Sequence, residues 1–453
     1  MHPILFRIPL PNAPLKLWWA LLAVSVIALV FTILAALRRD RGEAIPSAMV
    51  AVVAAVAGWH FRTTTYQAPN LPIYAYGVML GLSLVVGWYL TLPLAERDGL
   101  PRETMANCYV VTAIAALAGA RLLYMLTNLD EFRTVGDLFA LRSGGLVAYG
   151  GFIGGLLGSW AFLAPKQIRL LAWGDVAVPS LASGLMITRV GCYLFGCDFG
   201  KRLPDGAPHF LKVLGTFPHW AGGTLASGDG SPAYMRHLDV YRGTPLEGEL
   251  LRMNTSFPVH PTQIYESLVG LGLLVLLLWQ RKHTRFRGQV FFLFIFAYGV
   301  LRFLLELWRD DVERGSYGPT LDAHVIVPAC LLLMSLAFVF GISVSIENER
   351  VRNAARVLAF LPPLLAYISL KPAAFAQPEP YQLSTSQIIG LASCLAVAFF
   401  YPRLWEEALT SPQLAMSLGD SIALPRRGGD GRGEPDKGRA GDRDDQENDE
   451  RST

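Results

Sequence analysis

The sequence predicts an all-α fold: a polytopic transmembrane helix bundle of about eleven spans with a small extracytoplasmic subdomain. Three observations predict it. The 453-residue chain is 52% hydrophobic and only 17% charged, with a mean hydropathy of +0.37, the balance of a polytopic membrane protein. Its apolar residues are gathered into runs long enough to cross hydrocarbon, beginning with Leu17–Leu37. The loops between the runs are basic on alternate sides, as the positive-inside rule requires. The net charge of +3 decides little, because Lys and Arg are distributed by topology. Nothing in the charge pattern calls for nucleic acid. Five cysteines are too few and too scattered for a disulfide scaffold, and no zinc-type pair of pairs is present.

Taken in order, no basic n-region opens the chain, so Leu17–Leu37 reads as a first span and not as a cleavable signal. Arg38-Arg39-Asp40-Arg41 follows it. The next spans are 46–61, shorter, then 73–94, followed by Glu96-Arg97-Asp98 and Arg102. Span 105–127 carries Arg121. Span 146–163 precedes Lys166 and Arg169, and 171–195 is the sixth. Residues 198–259 hold Gly, Pro, His and Asp without a long apolar run, too many for a tight turn, and read as an extramembrane subdomain. Spans 261–279, 289–307 and 325–344 follow. Span 357–370 is weak, interrupted by Pro362-Pro363, and 388–401 is short, beginning near Ser384. With the N-terminus extracytoplasmic, the loops at Arg38, Arg97, Lys166, Arg281 and Arg352 fall in the cytoplasm, as does the C-terminus. The loops 128–145 and 310–319 and the 198–259 subdomain fall outside. From about residue 425 the tail has almost no apolar residues and is expected to be disordered.

Polar residues inside spans are the candidates for chemistry. Arg189 closes the sixth run, and an arginine at mid-bilayer costs about 3 kcal/mol. It either snorkels to the surface or faces the bundle and meets an anion. Gly191, Gly196 and Gly200 thin the wall beside it. Arg302, Glu306 and Arg309 stand at i, i+4 and i+7 and are expected on one helix face. For Glu306 alone a structural ion pair is the simpler reading. Arg121, Arg189, Arg302 and Arg309 outnumber the nearby acids Asp175, Glu266 and Glu306. That surplus suits an anionic ligand, most simply a phospholipid headgroup. Gly150-Gly151-x-x-Gly154-Gly155 reads first as a close-packing helix surface. His260 heads a span; a lone histidine is more often structural. Cys192 and Cys197, five apart, belong on different faces of a helix, so a disulfide or metal site there is the minor reading.

The motifs resemble one family. Tyr76-Gly77, Gly119-Ala120-Arg121, Gly144-Gly145-x-x-x-Tyr149-Gly150-Gly151, Asp175, Arg189-x-Gly191, Gly196 and Gly200 come first. They are followed by His260-Pro261-Thr262-Gln263-x-Tyr265-Glu266, Tyr298-Gly299-x-x-Arg302-x-x-x-Glu306-x-x-Arg309 and Leu383-Ser384-Thr385-Ser386-Gln387. This order is similar to that of the bacterial prolipoprotein diacylglyceryl transferases, over about residues 72–314 and again over 381–401. The resemblance implies a multi-pass enzyme of the bacterial inner membrane. It would transfer the diacylglyceryl group of phosphatidylglycerol to the lipobox cysteine thiol of prolipoprotein signal peptides, releasing glycerol phosphate, with no metal or organic cofactor. A monomer exchanging both substrates with the bilayer is the simplest expectation.

Carried over residue by residue, the resemblance implies Arg189, Arg302 and Glu306 as catalytic residues, with Tyr149 or His260 as the nearest proton acceptors. It implies phosphatidylglycerol contacts at Arg189, Arg121, Gly150, Gly151, Tyr76, Cys192, Gly200, Gln263, Tyr265, Glu266, Tyr298 and Arg309. It also divides the chain into a two-span extension (1–71), a core (72–319), an inserted pair of spans (320–380), a final core span (381–402) and a tail (403–453). Four positions depart from the family pattern. Tyr149 stands where a histidine is usual, Cys192 where many members have asparagine, and Cys197 where an acidic residue is common, with Asp198 beside it. Tyr74 replaces a common histidine. The alternatives are a diverged transferase with another acceptor, or a non-enzymatic protein that only holds an anionic headgroup.

Overall fold

A computed structural model describes residues 4–9, 15–37, 41–63, 65–66, 70–129, 145–220, 230–310, 315–371 and 380–419. Among them, nine helices are long and apolar enough to cross a membrane. The order begins with α1 (Leu17–Leu37) and α2 (Arg41–His60), packed as a hairpin. Four helices follow: α3 (Ala75–Arg97), α4 (Arg102–Thr127), α5 (Ala148–Leu163) and α6 (Leu170–Phe195). The segment after α6 forms three short helices, α7 (His209–Leu214), α8 (Pro232–Val240) and α9 (Pro245–Met253). Then come α10 (Thr262–Gln280), α11 (Gln289–Leu305), α12 (Ala323–Phe340), α13 (Glu349–Leu358), α14 (Leu361–Leu370), α15 (Thr385–Thr410) and α16 (Pro412–Ala415). The polytopic helical bundle of the sequence reading is therefore present. The count of about eleven requires α2 and the 16-residue α5, neither of which is among the nine. The weak tenth run joins α13 and α14, counted as one span over 349–370.

The faces of these helices are sorted as hydrocarbon demands. Val85, Leu268 and Val275 point out of the bundle, more than half exposed, while small and polar residues line the helix contacts. Helix α4 packs along α5, α3 and α10 both pack on α6, and α11 packs on α15. The α4–α5 contact is made by glycine: a Cβ on Gly150 would stand 2.4 Å from the Gly119 carbonyl oxygen. Beneath α11, α12 and α15 one core gathers Phe303, Leu331, Met334, Val397 and Tyr401. A second lies between α6, α10 and α11, around Ala182, Leu273, Leu277 and Val290.

The expectation of an all-α chain needs one correction. Three two-stranded antiparallel ribbons pair β1 (Ile4–Pro9) with β4 (Asn70–Tyr74), β2 (Leu15–Lys16) with β3 (Thr65–Tyr66), and β5 (Ser316–Asp322) with β6 (Pro380–Ser384). Each ribbon lies where the chain enters or leaves helices. Pairing there satisfies backbone groups that no helix can satisfy. β6 runs straight into α15, whose start is fixed by a capping box of Ser384 and Gln387.

At one end of the bundle a second polar cluster ties the helices together. Asp98, just past α3, receives Arg281 at 2.9 Å and Arg287 at 2.6 Å. Asp175 near the start of α6 is 1% exposed and accepts the backbone N–H groups of Gly288 (2.7 Å) and Phe291 (2.9 Å). Asp175 was expected near the candidate arginines. It stands 14 residues before Arg189 on the same helix, about 21 Å away at 1.5 Å per residue. Arg38, Arg39 and Asp40, Gly144 with most of the 128–145 loop, residues 311–314 and the tail from 420 lie outside the described residues.

Candidate active site

The other end of α6 carries Arg189, and the helix stops less than two turns later, at Phe195. Gly196 takes a left-handed backbone (φ 84°) and donates its N–H to the Cys192 carbonyl at 2.8 Å, a glycine-terminated helix end. Asp198 also has positive φ (55°). The chain thereby curls back over the end of α6, placing the Asp198 carboxylate between two guanidiniums. Arg189 Nη1 donates to its Oδ2 at 2.6 Å and Arg309 Nη2 to its Oδ1 at 2.6 Å. Burial opposes the charge on Asp198, but Arg189, Arg309 and Arg302 outweigh it and hold its carboxyl down to about 2.

Glu266, one turn into α10 and 2% exposed, is the second hub. Its Oε2 pairs with Arg189 Nε, and its Oε1 accepts from Arg302 Nη1 at 2.5 Å with Arg309 Nη1 at 3.7 Å. Glu306, fully buried, meets Arg302 Nη2 at 3.1 Å. Three guanidiniums and three carboxylates converge, so the cluster is balanced in charge. The surplus of positive charge expected from sequence is not found here, because Asp198 joins the cluster and Arg121 belongs elsewhere. Arg121 donates to the Gly145 carbonyl at 3.0 Å, and its guanidinium lies 5.6 Å from the Tyr124 ring centroid.

The single helix face expected for Arg302, Glu306 and Arg309 is also corrected. The α-helix ends at Leu305, and Glu306–Trp308 form a 3₁₀ turn. Arg309 is carried past the helix and is drawn in by backbone pairing instead. Lys201 N–H donates to the Trp308 carbonyl at 2.7 Å, Gly200 N–H to the His260 carbonyl at 3.0 Å, and His260 N–H to the Lys201 carbonyl at 2.9 Å. Thr262 Oγ1 and Gln263 Nε2 donate to the carbonyls of Asp198 and Cys197, both at 2.5 Å, fastening the curl to the head of α10. His260 Nδ1 lies 3.4 Å from the Tyr265 hydroxyl. Burial and the neighbouring Lys201 push the His260 pKa down.

Around this centre stand the other expected residues. Tyr149 at the start of α5 faces Ser386, within electrostatic range of Arg302 and Glu306. Ser386 in turn accepts from Arg302 Nη2 at 3.3 Å. Tyr298 is within range of Arg189 and Arg302, and Tyr76, 43% exposed, faces Cys192, Cys197 and Arg189. Gly150 is occupied by the α4–α5 contact, and Gly151 borders it, its Cβ position 3.4 Å from the Ala116 carbonyl. Cys192 and Cys197 are not on separate faces of one helix, as expected. The curl after Phe195 brings their sulfurs and an Asp198 oxygen within 4.8 Å of one another. Asp198 and Ser386 are the site residues that sequence reasoning left at the margin. The signals available were the acidic residue beside Cys197 and the serine-rich motif opening α15.

The profile of the prolipoprotein diacylglyceryl transferase family matches residues 63–345, well over half of the chain. The chain belongs to this family. The phosphatidylglycerol–prolipoprotein diacylglyceryl transferase of Thermus thermophilus is 31% identical over 279 residues, 60% of this chain and 94% of that protein. Proteins of the same name are 26% identical in Clostridium tetani, over 56% of this chain and 88% of theirs, and 28% identical in Clostridium perfringens (its second such protein), over 55% and 83%. The matched segment holds Arg189, Asp198, Glu266, Arg302, Glu306 and Arg309, and stops before β6 and α15, which carries Ser386. The diacylglyceryl transferase family and the nine spans together make this a multi-pass membrane protein of transferase type.

Proposed function

We propose that the protein transfers the diacylglyceryl group of phosphatidylglycerol to the lipobox cysteine of prolipoproteins in the inner membrane. The observation that carries this reading is the cluster of Arg189, Arg302 and Arg309, each held by a carboxylate, inside the segment that matches the family. The reaction asks for such a device. A thiol attacks a glycerol carbon, the carbon–oxygen bond to phosphate breaks, and charge builds on the departing phosphate. Guanidiniums fixed before the reaction stabilise that charge without reorganising. Glu266 and Glu306 set the planes of Arg189 and Arg302, and Arg302 is further oriented by Ser386. Tyr76 and Tyr298 flank the headgroup. In this reading the site end faces the extracytoplasmic side, and a monomer suffices.

The test is complementation. The chain is expressed in a bacterium depleted of its own diacylglyceryl transferase, and lipidation of a reporter prolipoprotein is followed by gel mobility and mass. Lipidation by the parent, lost in Arg189→Ala and Arg302→Ala, is the expected result. A folded, membrane-inserted parent that leaves the reporter unmodified overturns the reading in favour of another acceptor.

A further inference from the structure

The curl that ends α6 brings two thiols together. Gly196 N–H closes on the Cys192 carbonyl at 2.8 Å, and Cys197 Sγ lies 3.9 Å from that same oxygen. The two sulfurs stand within 4.8 Å of each other, and both are free. Cys192 is buried, whereas Cys197 is partly exposed. The pair frames the arginine cluster. Arg189 Nη1 donates to Cys192 Sγ at 3.7 Å. Cys197 Sγ donates at 3.8 Å to Asp198 Oδ2, the oxygen that Arg189 holds at 2.6 Å. The other cysteines sit elsewhere: Cys108 on α4 beside Thr112, and Cys330 and Cys394 in the core of α11, α12 and α15.

We propose that Cys192 and Cys197 are joined by a disulfide in the working protein, an oxidative clasp that fixes the curl carrying Asp198. The clasp stands on this geometry. Its compartment rests on the transferase reading, which puts this end of the bundle on the extracytoplasmic side, where disulfides persist.

The helix end supplies the proximity, and side-chain rotation closes the remaining gap between the sulfurs. Five residues apart, the two cysteines close a short loop, so the gain in global stability is at the low end for a disulfide. The gain is mainly local. Asp198 follows Cys197 directly and holds a positive φ of 55°, a backbone conformation that carries a cost for residues with a Cβ. A covalent bond at the preceding residue keeps that backbone in place. The bond also removes the Cys197 S–H, leaving the Asp198 carboxylate to Arg189 and Arg309. It adds no charge, so three guanidiniums still face three carboxylates.

The bond forms by thiol–disulfide exchange with a disulfide-bearing oxidant, such as oxidised glutathione or a dithiol carrier protein. Cys197, the more open of the two, attacks as the thiolate and forms a mixed disulfide. One oxidant sulfur leaves and takes up the Cys197 proton. Cys192 then displaces the second oxidant sulfur from Cys197, and its proton goes to that sulfur. Two protein thiols are oxidised and one disulfide of the oxidant is reduced.

The experiment uses the full-length protein. Thiols are alkylated in intact cells before lysis, and in detergent after exposure to oxidised or reduced glutathione; the denatured chain is then mapped by peptide mass. In cells and after oxidised glutathione, only Cys108, Cys330 and Cys394 should alkylate, and one Cys192–Cys197 cross-linked peptide should appear, lighter by two hydrogens. After reduced glutathione all five cysteines should alkylate. The oxidised protein should unfold at a higher temperature than the reduced one. Cys192→Ser and Cys197→Ser should each erase that difference, and Cys330→Ser should keep it. Should a serine variant fail to fold, the peptide map of the parent decides. Free Cys192 and Cys197 in cells, five alkylated cysteines after oxidation, a cross-link through another cysteine, or a temperature difference that survives in both site variants overturns the proposal. Lipidation is read in parallel. A chain that carries the bond but lipidates nothing overturns the transferase reading and leaves the clasp. Lipidation by a chain whose five cysteines all remain thiols overturns the clasp and leaves the transferase.

Discussion

Glu266 is the residue whose loss the structure makes most informative. Its two oxygens serve Arg189, Arg302 and Arg309, and it is 2% exposed. Glu266→Gln keeps the shape but turns a balanced cluster of three and three into one with an uncompensated positive charge. A unit charge pair at 4 Å is worth about 4 kcal/mol at an effective dielectric of 20. Removing one partner of a buried pair costs about 3–5 kcal/mol. The two routes agree, so stability should fall by about 3–5 kcal/mol. A guanidinium displaced by about 1 Å costs about 100-fold in rate, so lipidation should fall by at least that factor. The assay is unfolding in detergent together with reporter lipidation, for Glu266→Gln, Arg302→Met and the double variant. The double variant restores charge balance, so its cost should be smaller than the sum by more than about 1 kcal/mol. Additivity within about 0.5 kcal/mol, or a Glu266→Gln protein as stable and active as the parent, refutes the reasoning.

Other perturbations separate packing from chemistry. Gly150→Ala puts a methyl 2.4 Å from the Gly119 carbonyl and should cost about 1–3 kcal/mol in thermal unfolding, whereas Gly151→Ala, 3.4 Å from its nearest neighbour, should cost far less. Asp175→Asn can accept only one of the N–H groups of Gly288 and Phe291, so stability should fall by about 1–3 kcal/mol while turnover at permissive temperature is retained. His237 accepts from the Phe257 N–H at 3.1 Å, and burial, with Arg202 and Arg236, holds its pKa down to about 4 from the usual 6.5. Its folded pKa lies below its unfolded one. Its contribution, about 3 kcal/mol at most, is therefore complete above about pH 6.5 and lost as pH falls toward 4. Proteolysis of residues 230–259 should be faster at about pH 4.5 than at pH 7; equal rates would contradict this.

The bundle was legible in the sequence because its signals are local. Apolar length defines α1, α6 and α12, and Pro362-Pro363 marks the start of α14. The arginines were legible as costly residues in apolar runs. What was not legible depends on where a helix stops. Treating 289–307 as continuous put Arg309 on one face with Arg302, whereas the helix loosens into a 3₁₀ turn at Glu306. Treating Arg189 to Cys197 as helical separated the two cysteines, whereas Gly196 reverses the chain and gathers them with Asp198. Charge balance was misjudged for the same reason. Sequence distance set Asp175 beside the arginines, but a helix rise carries it to the far end, and the acid that takes its place lies past the helix end.

The anchor at that far end decides how the bundle can breathe. Asp98 and Asp175 grip the connection between α10 and α11 through Arg281, Arg287 and the Gly288 and Phe291 amides, binding four helices at one pole. Among the described residues, no backbone hydrogen bond joins α5 to α15 at the opposite pole, where Tyr149 and Ser386 meet through their side chains. Under the proposed function, a two-tailed lipid arriving from the bilayer would part the helices like the covers of a book, with the Asp98–Asp175 knot as its spine and the arginines along the open edge.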